Sequence, residues 1–291
     1  MMFGSYGLWA RAAAREFGAL EQAWVRGCIA LAVLLPLTIH KQAFVSIRRE
    51  DWRWFAIYLV STAFTIVPIY YALNHVAIGV ATLIFYATVL VVSYLIGAVA
   101  FGERFTLATV AALVFAFAGL ILIFGFPSGR FSALGAGLAA LNGVASGTEV
   151  AISKKISSRY PITFLLTISW AMVVVTNLPV ALLAGDNNLP TLSDGIWFVM
   201  IGYSIVGLLG FWFVVAGFRR VEAMTGGLIG LLEIVFAVLL GVVLLDEHVT
   251  WAIGSGMVAI LLAGALPEIA RRRLPVEQQA GNGEVLDPES A

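Results

Sequence analysis

Charge is scarce in this chain: only 12% of its residues are Asp, Glu, Lys or Arg. Histidine is scarcer, with three, and cysteine occurs once, as Cys28. A lone cysteine excludes an intramolecular disulfide. The histidines, His40, His75 and His248, stand at the ends of apolar runs. They leave no ligand cluster for a metal and no base to activate a serine at Ser146-Gly147. HExxH, a Walker A loop and GxGxxG after a strand are all missing. No catalytic residue, metal or cofactor is therefore expected, and the chain is not read as an enzyme. No ATP-hydrolysing domain is present, so any driving force must come from gradients or exchange. Nothing resembles a cleavable signal peptide, because no polar cleavage region follows the first apolar run. No nucleic-acid partner is expected.

What fills the space is apolar. The chain is 61% hydrophobic with mean hydropathy +0.97, far outside the balance of soluble domains. A bilayer crossing takes about 20 apolar residues, and such runs follow one another almost end to end. They centre on Glu21–Ile39, Trp52–Tyr71, Ala77–Phe101, Thr106–Gly125 and Phe131–Ile152. The second set is Pro161–Ala184, Ile196–Phe218, Ala223–Leu245 and Thr250–Ile269. The runs are continuous rather than alternating, which argues against a barrel. A shorter run, Met1–Ala14, meets Arg11 within ten residues. It is expected to be a truncated or alternative start, leaving a first helix too short to span unaided; a genuinely short or interfacial helix is the alternative. The fold class is thus all-α integral membrane, with ten transmembrane helices, the first of them short.

The chain also repeats. Residues Val91–Val114 align without a gap on Val235–Val258, at a shift of 144, with eight identities in 24 positions. Gly97/Gly241, Glu103/Glu247 and Thr106/Thr250 carry more weight than the Val, Leu and Ala matches, which membrane composition supplies. At a shift of 143, Gly4-Ser5 pairs with Gly147-Thr148 and Arg11 with Lys154. Two homologous halves are expected, residues 1–125 and 131–270, followed by a disordered cytoplasmic tail over 271–291. Five spans per half, an odd number, make the second half inverted relative to the first. Of the 17 basic residues, only Arg11, Arg15, Arg26 and Arg130 fall on the side of the first connection. The positive-inside rule then places both termini in the cytoplasm.

Two carboxylates interrupt the apolar spans. Glu233 lies eleven residues past Glu222, about 16 Å along a helix and so near the bilayer midplane. Glu149 lies five residues before Lys154, about 7–8 Å from its boundary. An ionised, unpaired acid at such depth is costly, so each must be protonated, paired or facing water. Binding is one reading; a packing hydrogen bond for Glu233, or Lys154 and headgroup water for Glu149, is the other. Tyr86 and Ser93 share a helix face, as do Asn142, Ser146 and Glu149. Trp170 falls in the seventh helix with Thr167 and Asn177, and Tyr203, Ser204 and Trp212 in the eighth. Tyr70 and Tyr71 are gate candidates or members of an aromatic belt. Arg26 is close enough to its boundary to snorkel, which leaves a structural anchor and a substrate contact as its two readings. Glu103 and Glu247 are expected to be helix-boundary residues, each capping the helix that follows near Thr106 or Thr250.

Several segments carry a family likeness: Ala72-Leu73-Asn74-His75-Val76, Gly102-Glu103-Arg104-Phe105-Thr106, Gly217-Phe218-Arg219-Arg220-Val221-Glu222-Ala223, Leu231-Leu232-Glu233 and Asp246-Glu247-His248-Val249-Thr250. Together they resemble the EamA-type transporters of the drug/metabolite transporter superfamily, over nearly the whole chain. The chain departs from that pattern at Leu90 and Ile234, where proline is common, and at Asp246, where glycine is usual. The resemblance implies a bacterial inner-membrane secondary transporter, an exporter of a small organic metabolite such as an amino acid. It would work by alternating access with proton coupling or exchange, so the expected partners are a small-molecule substrate, protons and the lipid bilayer. Glu233, Glu149, Tyr86, Ser93, Asn142 and Trp170 are the expected substrate-binding residues. An exporter of quaternary amines or lipophilic cationic drugs is the alternative, and a non-transporting membrane scaffold a third reading.

Overall fold

The computed structural model of the chain describes residues 3–125, 132–186, 189–191, 194–245 and 248–272. Every regular element among them is helical. The first half contains α1 (Tyr6–Ala13), α2 (Ala19–His40), α3 (Trp52–Ala63), α4 (Val67–Leu73), α5 (Ile78–Phe101) and α6 (Leu107–Phe124). The second contains α7 (Ala133–Ser157), α8 (Ile162–Ala184), α9 (Ile196–Phe218), α10 (Ala223–Gly230), α11 (Leu232–Leu245) and α12 (Trp251–Arg272).

Eight membrane spans are long and apolar enough to qualify among the described residues, with α3 and α4 counted as one and α10 and α11 as another. This is a multi-pass membrane protein. The expected count of ten differs from eight at two elements. Helix α1 has eight residues, about 12 Å at 1.5 Å per residue, short of the hydrocarbon thickness. Helix α7 has 25 residues and the length, but its Gly, Ser, Asn and Glu content lowers its hydropathy. Most of them, Gly135, Asn142, Gly143, Gly147, Glu149, Ser153 and Ser157, are buried against other helices rather than against lipid.

Two runs read as single helices are broken. The run Trp52–Tyr71 is interrupted over Phe64–Ile66, and α4 restarts with Pro68 in its first turn, where a missing N–H costs nothing. The run Ala223–Leu245 is interrupted at Leu231, just after Gly226, Gly227 and Gly230, which weaken the helix. The expected ending at Asp246-Glu247 and nearly all of the expected tail lie outside the described residues; Arg271 and Arg272 continue the α12 backbone.

The halves pack on each other through α2 with α8, α5 with α7 and α6 with α12. Small residues set how close these pairs come. A Cβ added to Gly119 of α6 would stand 2.8 Å from the Gly256 carbonyl of α12, and one added to Gly256 would stand 2.8 Å from the Gly119 carbonyl. Gly143 and Gly147 of α7 likewise receive the α5 backbone at Phe85 and Val89. Between α2 and α8, Thr38 and Thr167 share a hydrogen bond of 2.9 Å.

Glu103 follows Gly102, whose φ of 65° ends α5 in the left-handed conformation that favours glycine. Its carboxylate does not cap α6, as expected from sequence. Thr106 does that, accepting from the Thr109 backbone N–H at 3.2 Å. Glu103 instead reaches the start of α10, accepting from the N–H groups of Ala223 at 2.6 Å and Met224 at 2.9 Å. It also pairs with Lys154 of α7 at 2.9 Å. A carboxylate suits the positive end of a helix dipole, and α10 offers one within reach.

Candidate functional site

Between the halves lies a cavity of about 520 Å³. Tyr86 and Ser93 of α5, Asn142 and Glu149 of α7, Trp170 of α8 and Glu233 of α11 all line it. Tyr70 of α4 lines it as well; Tyr71 does not, and is 41% exposed.

Both helix breaks contribute to the cavity wall. At the first, the unwound backbone frees the Phe64 carbonyl, which accepts from Asn142 Nδ2 at 3.1 Å. One turn before the break, Thr62 Oγ1 lies 2.7 Å from Glu149 Oε1. Ser169 Oγ, from α8, approaches the same oxygen at 2.8 Å. Glu149 is therefore held by α3 and α8 together, and Lys154, five residues on, is engaged by Glu103 instead. At the second break, Glu233 sits in the first turn of α11, where the free N–H groups and dipole favour negative charge. Its Oε1 accepts from the Tyr86 hydroxyl. Ser93 donates to the Val89 carbonyl at 2.9 Å and packs on Gly227.

The six residues differ in availability. Asn142 and Ser93 are almost fully buried with their donors engaged. Trp170 is buried with its indole Nε1–H unpartnered, which leaves a donor at the wall. Tyr86 and Glu233 are half-buried.

Arg26 does not snorkel. A side chain that snorkelled would reach the membrane boundary, but Arg26 is 5% exposed and lines the cavity. Its guanidinium lies 4.0 Å from the Tyr203 ring centre and 5.3 Å from that of Tyr6. Tyr6, Tyr203 and Ser169 are cavity residues that the sequence did not single out for binding. One signal pointed to Tyr6: the shift of 143 pairs it with Glu149.

The model of one protein family matches the chain twice, over residues 1–125 and 133–266. The chain belongs to the EamA-like transporter family. Membership makes it a membrane transporter of small solutes, within the drug/metabolite transporter superfamily, rather than an enzyme. No curated protein matches it. A solved crystal structure, described only as that of a protein, superimposes with a TM-score of 0.78 at 19% identity. The match covers 92% of this chain and 95% of that one. At such identity the likeness speaks for a shared fold alone.

Proposed function

We propose that this protein is a bacterial inner-membrane secondary transporter that exports a small organic metabolite, an amino acid or a close relative. It works by alternating access between two inverted five-helix halves, residues 1–125 and 131–270, with both termini in the cytoplasm. On this reading α1 and α7 complete the ten helices. The pairing of α2 with α8, α5 with α7 and α6 with α12 across the halves supports that arrangement, as does the uneven placement of basic residues.

The observation that carries the proposal is the cavity itself, where two acids of the second half, Glu149 and Glu233, meet hydroxyls of the first, Thr62 and Tyr86. A site at the interface of two repeats is where alternating access exposes a substrate to each side in turn. Proton coupling is supported by the hydroxyl arrangement at Glu149. Thr62 has one proton but two acceptors in range, Glu149 Oε1 at 2.7 Å and the Tyr58 carbonyl at 2.9 Å. When Glu149 is protonated it donates to Thr62, and Thr62 donates to Tyr58; when ionised, it draws the Thr62 proton to itself. The gain or loss of a proton there therefore re-sorts bonds between α3, α7 and α8. Tyr70 acts as a gate at the cavity rim.

Counterflow into proteoliposomes with labelled amino acids tests this reading. Wild type is expected to accumulate at least one of them with a dependence on pH, and Glu233→Gln to abolish it. Unchanged uptake, pH dependence and affinity in Glu233→Gln would remove Glu233 from the mechanism.

A second reading, export of quaternary amines or lipophilic cations, draws support from Tyr86, Phe85, Trp170 and Tyr203 around the acids. The buried guanidinium of Arg26 in the same cavity weighs against it, because it repels a ligand that carries only positive charge.

A further inference from the structure

Arg26 stands on α2, in the middle of a bundle, without a counter-ion. Among the described residues no carboxylate lies within 4.0 Å of it. Its Nε donates to the Gln22 carbonyl at 3.1 Å, one turn back on its own helix. Its Nη1 is buried without a hydrogen-bond partner. Two acids at the start of α2 are turned to its backbone instead: Glu21 Oε2 accepts from the Gly18 N–H at 2.8 Å, and Asp186 accepts from the Leu20 N–H at 3.0 Å. Tyr203 and Tyr6 adjoin the guanidinium through their rings and are hydrogen-bonded to it, but a neutral phenol supplies no full negative charge. Stacking contributes on the order of 2 kcal/mol when desolvated, well short of the cost of holding an arginine unpaired at membrane depth.

A guanidinium that cannot lose its proton, has an unused N–H and faces a cavity is completed by an anion from outside the protein. Its planar fork matches the two oxygens of a carboxylate. We infer that Arg26 is the carboxylate-binding subsite of the central cavity, so that the transported solute carries a carboxylate group. This inference rests on the transport reading above and narrows its substrate class. An amino acid then meets complementary charge at both ends, its carboxylate at Arg26 and its ammonium at the acidic side of the cavity. The Tyr203 and Tyr6 rings, packed edge to face with centres 4.9 Å apart, adjoin the guanidinium and limit its movement. A cation lacking a carboxylate satisfies the acids and leaves Arg26 as it is in the empty protein.

The test uses purified full-length protein in proteoliposomes and matched triplets of ligands: leucine, phenylalanine, threonine and lysine, each with its amide and its decarboxylated amine. Thermal stabilisation and counterflow are read for each compound. In wild type at least one acid is expected to bind, with its amide and amine weaker by about tenfold or more, as for loss of a charge-assisted bond. Arg26→Gln is expected to bring acid, amide and amine to within about twofold of one another by weakening the acid alone, and Arg26→Lys to keep part of the preference. The wild-type comparison needs no variant and stands even if Arg26→Gln fails to fold. Amides or amines that bind and move as well as the acids would overturn the subsite while leaving the transport reading intact. If no compound of the panel either stabilises the protein or moves, the amino-acid reading falls, and the subsite assignment with it.

Discussion

The Tyr86 hydroxyl donates to the Glu233 carboxylate across the junction of the two halves, from the middle of an unbroken helix to the first turn of a broken one. The bond joins a rigid element, α5, to the point where the run α10–α11 has no continuous backbone ladder. Tyr86→Phe keeps the ring and removes the hydroxyl. It is expected to lower transport several-fold and to act non-additively with Glu233→Gln, because the two groups share one bond. A double-mutant cycle in counterflow checks this; additive effects would show that the bond does not matter to turnover.

Thr62 and Ser169 both converge on Glu149 Oε1. Replacing Thr62 by Val removes one of two bonds to a buried carboxyl at nearly constant volume. A loss of about 1–3 kcal/mol is expected, read as a lower thermal midpoint in detergent. Glu149→Gln keeps both neighbours bonded, so it is expected to cost less stability while removing the pH response of transport.

Glu103→Ala strands the N–H groups of Ala223 and Met224 and frees Lys154. An expected loss of about 2–4 kcal/mol follows from unpaired donors and a broken, largely buried ion pair. Glu103→Gln keeps an acceptor for the helix start and is expected to fall between wild type and alanine. Equal behaviour of the two variants would show that the backbone bonds contribute little.

Gly119→Val is expected to prevent α6 and α12 from reaching their observed separation, since even a Cβ at Gly119 meets Ile260 Cγ1 at 2.7 Å and the Gly256 carbonyl at 2.8 Å. Gly137→Val serves as the control, because nothing lies within 4 Å of a Cβ there. The yield of monodisperse protein is expected to fall for the first and not for the second.

Much of the fold was legible because apolar run length is a direct readout of bilayer thickness. The α9 limits, Ile196–Phe218, coincide with the run read from sequence. The two helix breaks were not legible. Phe64, Ile66 and Leu231 are as apolar as their neighbours, and a break inside a protein-lined cavity leaves hydropathy unchanged. The six chosen cavity residues were found because polar groups in apolar spans turn inward. Arg26 was left between an anchor and a substrate contact. Its distance from the boundary suited snorkelling, and only the positions of Tyr6 and Tyr203, from elements distant in sequence, reveal that it turns toward the interior. Glu103 was read as a boundary residue, yet its partners lie 51 to 121 residues away in the other half, beyond the reach of local capping rules.

That carboxylate has a mechanical consequence. It is a buckle: one side chain at the end of α5 fastens the opening turn of α10 and the last turns of α7 at a single point. Lys154 can leave without releasing the α10 N–H groups, so α7 is the strap that opens first and the hold of α5 on α10 the one that opens last.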